Sequence, residues 1–98
     1  LTDVGDETGN ISTFTLYQNY PNPFNPITKI SYRLERSGNV TLKIYDVLGE
    51  LVTTLINSEM NAGLHEINFN AEYLASGVYY YQVRSGEFLE TRKMMLLK

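Results

Sequence analysis

Beyond residue 13 the apolar residues of this chain fall in runs too short for a helix, several of them alternating with polar residues, and separated by Gly, Asn, Ser and Pro. Such alternation, in segments rich in Val, Ile, Tyr and Phe, restricts the fold to half-buried strands joined by tight turns. Ile27 to Leu34 alternates Ile30, Tyr32 and Leu34 against Lys29, Ser31 and Arg33. After a turn over Glu35 to Asn39, Val40 to Tyr45 alternates Val40, Leu42 and Ile44 against Thr41, Lys43 and Tyr45. Asp46-Val47-Leu48-Gly49 has Asp first and Gly fourth, a type I turn pattern that joins this strand to Leu51 to Ile56 as a hairpin. Asn57 to Gly63 reads as a loop, Leu64 to Asn70 and Val78 to Arg84 as strands, Ser85-Gly86 as a tight turn, and Phe88 to Leu97 as the last strand. With a short first run, Phe14 to Gln18, about seven strands result, and the fold class is all-β: an immunoglobulin-like antiparallel β-sandwich. The expected core contains Ile30, Tyr32, Leu42, Ile44, Ile67, Phe69, Tyr79 and Val83. No segment carries helical periodicity over three turns, and Lys93 to Lys98 is too short for an independent helix.

Two segments stand outside this strand-and-turn pattern. Residues 1–13 are mostly Asp, Gly, Thr, Asn and Ser, with only Leu1, Val4 and Ile11 apolar, and read as a protease-sensitive linker ahead of a domain over residues 14–98. The second is Tyr20-Pro21-Asn22-Pro23-Phe24-Asn25-Pro26, whose three prolines within six residues remove ladder donors and keep it out of any central strand. An extended strap across one end of the sandwich is expected here, with Tyr20 and Phe24 anchored against the core. The 98 residues, 43% hydrophobic, suffice for one core, and the absence of cysteine leaves stability to packing and backbone pairing. A net charge of −3 with eight scattered Lys and Arg gives no phosphate-neutralising stripe, so nucleic acid is not expected as a partner. No apolar run approaches the roughly 20 residues of a membrane-spanning helix. The opening Leu1-Thr2-Asp3 suggests a piece of a longer protein.

Catalytic and ligand chemistry finds little support. His65, the only histidine, lies in an alternating strand without a second His, a Cys or a Ser nucleophile beside it, and reads as structural or solvent-facing. Asp3, Asp6 and Glu7 lack the loop spacing of a calcium site and read as a solvated tether. Tyr79, Tyr80 and Tyr81 could form a sugar platform, but alternation puts Tyr79 and Tyr81 on one face with Val83, which favours core packing. Asn10-Ile11-Ser12 and Asn39-Val40-Thr41 match the glycosylation acceptor pattern, to which no function is attached. No enzyme activity, cofactor, metal or small-molecule substrate is expected.

Four motifs occur in order: Leu16 to Pro26 (LYQNYPNPFNP), Ile44 to Gly49 (IYDVLG) with Leu51-Val52 after it, Leu74 to Tyr81 (LASGVYYY), and Thr91 to Lys98 (TRKMMLLK). Together they closely resemble the C-terminal sorting domain of the type IX secretion system, over Leu16 to Lys98. The resemblance implies a domain that carries its parent protein across the outer membrane of a Gram-negative-type bacterium, to the surface or the medium. The implied partners are the translocon and a surface sortase, which cleaves ahead of the domain and releases the cargo or joins it to surface lipopolysaccharide. It points to Tyr20, Pro21, Asn22, Pro23, Phe24, Asp46, Gly49, Gly77, Tyr79, Lys93, Met94, Met95, Leu96, Leu97 and Lys98 as the recognition residues. The terminal strand is expected to expose unpaired backbone groups suited to strand addition, and the isolated domain to be a monomer with weak self-association through that strand. The motif order is also similar to the immunoglobulin-like domain of the flagellar hook-capping protein, which implies an assembly role instead. Carbohydrate binding in a secreted hydrolase is a third reading.

Overall fold

The computed structural model describes residues 14–98, and the expected linker at 1–13 lies outside them. The alternating segments form seven strands: β1 (Phe14–Leu16), β2 (Ile27–Leu34), β3 (Gly38–Tyr45), β4 (Leu51–Met60), β5 (Gly63–Asn70), β6 (Gly77–Ser85) and β7 (Phe88–Leu96). All pairings are antiparallel, in a three-stranded sheet of order β1-β2-β5 and a four-stranded sheet of order β4-β3-β6-β7. This is the expected immunoglobulin-like sandwich.

The core follows the period of two. Ile30, Tyr32 and Leu34 of β2 and Phe69 of β5 meet Val40, Leu42 and Ile44 of β3, Tyr79, Tyr81 and Val83 of β6, and Met94 and Leu96 of β7 in one buried cluster. Each such apolar side chain contributes about 1.5–3 kcal/mol by leaving water. Ile67 departs from expectation: it pairs with Ile30 but lies on β5, the outer strand of its sheet, and is only half-buried.

β4 departs further. The expected loop over Asn57 to Gly63 is instead strand as far as Met60, because Gly38 to Thr41 pair with Met60 to Asn57, and only Asn61 and Ala62 turn. Two bulges interrupt its register, since Leu42 pairs with Ile56 but Lys43 with Thr54, and Ile44 pairs with Thr53 but Tyr45 with Leu51. The skipped residues Leu55 and Val52 are pushed, half-buried, against the core. The first strand stops at Leu16 rather than Gln18.

Register fixes which turns share an end of the sandwich. Ile27 pairs with Asn70, Tyr45 with Tyr80 and Gly77 with Leu96, so the start of β2, the Asp46–Gly49 turn, the start of β6 and the end of β7 lie together. Phe14 enters at the opposite end, paired with Leu34.

Candidate functional site

The segment between β1 and β2 carries the dense polar wiring of the molecule. Proline supplies carbonyls but no N–H, so this segment accepts hydrogen bonds that other residues must bring to it. Asn19, 2% exposed, brings one with its Nδ2, which donates to the Pro21 carbonyl at 3.1 Å and also to Thr28 Oγ1 of β2 at 2.9 Å. Thr28 Oγ1 in turn donates to the Pro21 carbonyl at 2.8 Å. The Asn19 backbone N–H donates to the Tyr81 hydroxyl at 2.8 Å, and that hydroxyl donates to the Tyr17 carbonyl at 2.6 Å. Burial pushes the Tyr81 hydroxyl up to about 12, while the Asn19 N–H and the Arg92 charge pull it the other way. Tyr20, expected as a core anchor, is instead 80% exposed, because the buried place beside the prolines is taken by Asn19.

Phe24 does anchor the segment, 2% exposed, with its ring centroid 6.3 Å from that of Phe69. The segment is not one extended strap. It runs as bends punctuated by isolated bridges, Tyr20 to Lys29 antiparallel and Phe24 to Leu96 parallel, and its three X-Pro bonds are cis. Its far side closes on β7. Phe24 N–H donates to the Met95 carbonyl and Leu97 N–H to the Phe24 carbonyl, each at 3.0 Å. The Met95 N–H donates to Asn22 Oδ1 at 3.0 Å, and Gln18 Nε2 donates to the Lys93 carbonyl at 2.8 Å. The expected free edge at the end of the terminal strand is therefore covered. A chain segment 73 residues upstream occupies the place where an added strand would pair.

Along Lys93 to Lys98 the parity of the strand divides the motif. Met94 and Leu96 are fully buried, whereas Lys93, Met95, Leu97 and Lys98 are exposed. Lys98 is tied down by its N–H to Ser76 Oγ at 3.0 Å and by its Nζ to the Glu72 carbonyl.

The remaining motif residues shape turns. Asp46 Oδ1 accepts from the N–H groups of Leu48 and Glu50, both at 2.9 Å, while Gly49 N–H closes the turn on the Asp46 carbonyl at 3.0 Å. Gly49 sits at φ +83°, a region that favours glycine, and Gly77 opens β6 at φ +150°. Two residues on, the Tyr79 hydroxyl donates to the Ala75 carbonyl at 2.7 Å, the back-bond that marks the corner before the sixth strand of many sandwiches. Tyr79 and Tyr81 are buried, so consecutive tyrosines form no sugar platform. His65 stacks on Tyr32, ring centroids 5.3 Å apart, and its Nε2 lies 2.6 Å from the Asn61 carbonyl. Among the described residues no group of three or more His, Cys, Asp or Glu could hold a metal ion. Pro21, Pro23, Tyr20, Val47 and Leu48 form exposed surface around this end. Gln18, Asn19, Thr28, Tyr81 and Arg92, which hold the network together, are absent from the expected recognition set.

These features define a class: a small immunoglobulin-like sandwich whose first connection wraps the edge of its last strand. The chain matches the secretion system C-terminal sorting domain family over residues 18–97 and belongs to it. It is thus a secretion-signal domain for export across the outer membrane, and such a domain is not itself catalytic. The fold is similar to part of PorZ, a bacterial surface component of the type-IX secretion system of Porphyromonas gingivalis, with a TM-score of 0.59 and 22% identity over 85% of this chain and 11% of that one. It is also similar to part of dimeric latent PorU from the same organism, with a TM-score of 0.66 and 19% identity over 95% of this chain and 10% of that one. The chain thus spans only about a tenth of the length of either structure. No curated protein matches it.

Proposed function

We propose that this domain exports a larger parent protein through the type IX translocon, and that the machinery reads the folded end where the proline segment closes on β7. The carrying observation is that residues of all four motifs gather at the end of the sandwich opposite Phe14, where the preceding chain enters. A receptor approaching that end meets Tyr20, Pro21, Pro23, Met95, Leu97 and Lys98 without contacting cargo on the other side. A surface sortase then cuts ahead of Phe14, within residues 1–13, and frees the cargo or joins it to the envelope.

The test fuses a passenger ahead of residue 1 in a type IX-competent host and follows its appearance at the surface or in the medium. Deleting Met95 to Lys98 removes buried Leu96 and so confounds signal with stability. Exposed positions separate the two. Leu97→Ser and Met95→Ser should leave the melting temperature of the purified chain nearly unchanged while export falls. Val83→Ala, a buried truncation, should lower stability with export retained at permissive temperature. Full export of Leu97→Ser/Met95→Ser would overturn direct reading of this end, and failure of the intact domain to export any passenger would favour the assembly role. The mass of the released passenger locates the cut, and a cut after Phe14 refutes the sortase assignment.

A further inference from the structure

The outer edge of β7 has two unlike halves. Met95 and Leu97 aim their N–H groups away from β6, so by strand alternation Lys93, Thr91 and Leu89 aim their backbone groups the same way. Gln18, Asn22 and Phe24 cover this edge from the Lys93 carbonyl onward. Upstream, no group among the described residues meets the outward backbone of Leu89 and Thr91, and both Phe88 and Leu89 are exposed. The other edge of this sheet, β4, is blunted by two bulges; this one carries none.

We propose that this free half-edge pairs with the same strand of a second copy, antiparallel, with Thr91 opposite Thr91. Identical antiparallel strands are related by a twofold axis, and outward backbone groups meet when that axis falls at any residue from Leu89 to Lys93. Axes at Glu90 and Arg92 set Glu90 against Glu90 or Arg92 against Arg92 and are disfavoured by like charge. An axis at Lys93 sets strap-covered Met95 opposite Thr91, which leaves no room for it. An axis at Leu89 sets Phe88 against Glu90 and pairs no opposite charges. An axis at Thr91 sets Glu90 opposite Arg92 in both halves, at the positions where side chains of antiparallel strands lie closest. Glu90 has no ion-pair partner among the described residues. Arg92 spends only its Nε, on the Leu16 carbonyl at 2.8 Å, so the rest of its guanidinium is available. Reciprocal backbone bonds then form between the two Thr91 residues and between Leu89 and Lys93. The Lys93 carbonyl can keep its bond from Gln18, since it has a second lone pair.

Sedimentation velocity on the full chain over a wide concentration range tests this, with Glu90→Arg and Arg92→Glu examined singly and mixed. The wild type should associate reversibly. Each single variant sets like charges opposite each other twice and should weaken association about tenfold. An equimolar mixture should recover it, because one strand then carries Arg at 90 and 92 and the other Glu at both. Absence of wild-type association, single variants that associate as wild type, or a mixture that fails to recover would each overturn the proposal. Arg92→Glu also loses the Leu16 contact; if it does not fold, undiminished association of Glu90→Arg overturns the proposal by itself.

Discussion

The sandwich buries two tyrosine hydroxyls whose circumstances are opposite, and deleting each in turn separates the value of a made hydrogen bond from the cost of an unmade one. Tyr81 and Tyr32 are both fully buried in the same core cluster. The Tyr81 hydroxyl accepts from the Asn19 N–H at 2.8 Å and donates to the Tyr17 carbonyl at 2.6 Å. The Tyr32 hydroxyl has no partner among the described residues, and burial alone raises its pKa. Tyr81→Phe strands one backbone donor and one acceptor, at about 1–3 kcal/mol each, so a loss of about 2–4 kcal/mol is expected. Tyr32→Phe removes a desolvated group that had gained nothing in exchange, and the expected change runs from zero to a gain of about 1 kcal/mol. A gap of about 3 kcal/mol corresponds to melting temperatures about 12–24 °C apart in a domain of this size. Urea denaturation with matched slopes, together with thermal melts, measures it. Equal destabilisation by the two variants, or a Tyr81→Phe loss below about 0.5 kcal/mol, would refute the reasoning.

Alkaline titration should show the same hydroxyl from the other side. The Tyr81 pKa is about 12 in the fold against an ordinary 10, so the unfolded chain loses its proton first. The resulting stability of about 2–3 kcal/mol is present below pH 10 and lost as pH rises toward 12, a slope that Tyr81→Phe should flatten in denaturation series. Phe24→Ala empties the anchor beneath the proline segment and should cost about 3–5 kcal/mol, with faster amide exchange at Met95 and Leu97 as the local readout. Gly49→Ala adds a Cβ that meets nothing within 4 Å, so its cost, about 1–2 kcal/mol by denaturation, should come from φ +83° alone.

What the sequence disclosed and what it hid divides along physical lines. Val40, Leu42 and Ile44 were legible because a period of two is a local signal, and burial follows it wherever both sheets are present. Asn57 to Glu59 looked like loop because an edge strand needs little apolar character; pairing with β3 holds it extended. Thr28 shares parity with Ile30 and Tyr32, and a polar residue in an apolar row signals a buried hydrogen bond. Its partner Asn19 belongs to no periodic row, so nothing local marks it, rather than neighbouring Tyr20, as the buried residue beside the prolines. The capped end of β7 depends on contacts such as Asn22 with Met95, 73 residues apart, for which no local pattern exists.

That long-range closure bears on how a contiguous terminal motif can act as a signal. In the folded domain the even-numbered members, Met94 and Leu96, belong to the core, and the edge backbone at Met95 and Leu97 is already bonded to the proline segment. A receptor that adds a strand there must first displace Asn22 and Phe24, whereas one that reads side chains can use Met95 and Leu97 with the edge closed. The proline motif and the terminal motif are thus one structural unit rather than two independent signals, because the first fixes which atoms of the second can be reached. On the proposed reading, substitutions at buried Met94 and Leu96 would act on export through folding. On the same reading, substitutions at exposed Met95 and Leu97 would act through contact, and only a receptor that engages the chain before it folds would make the two classes equivalent.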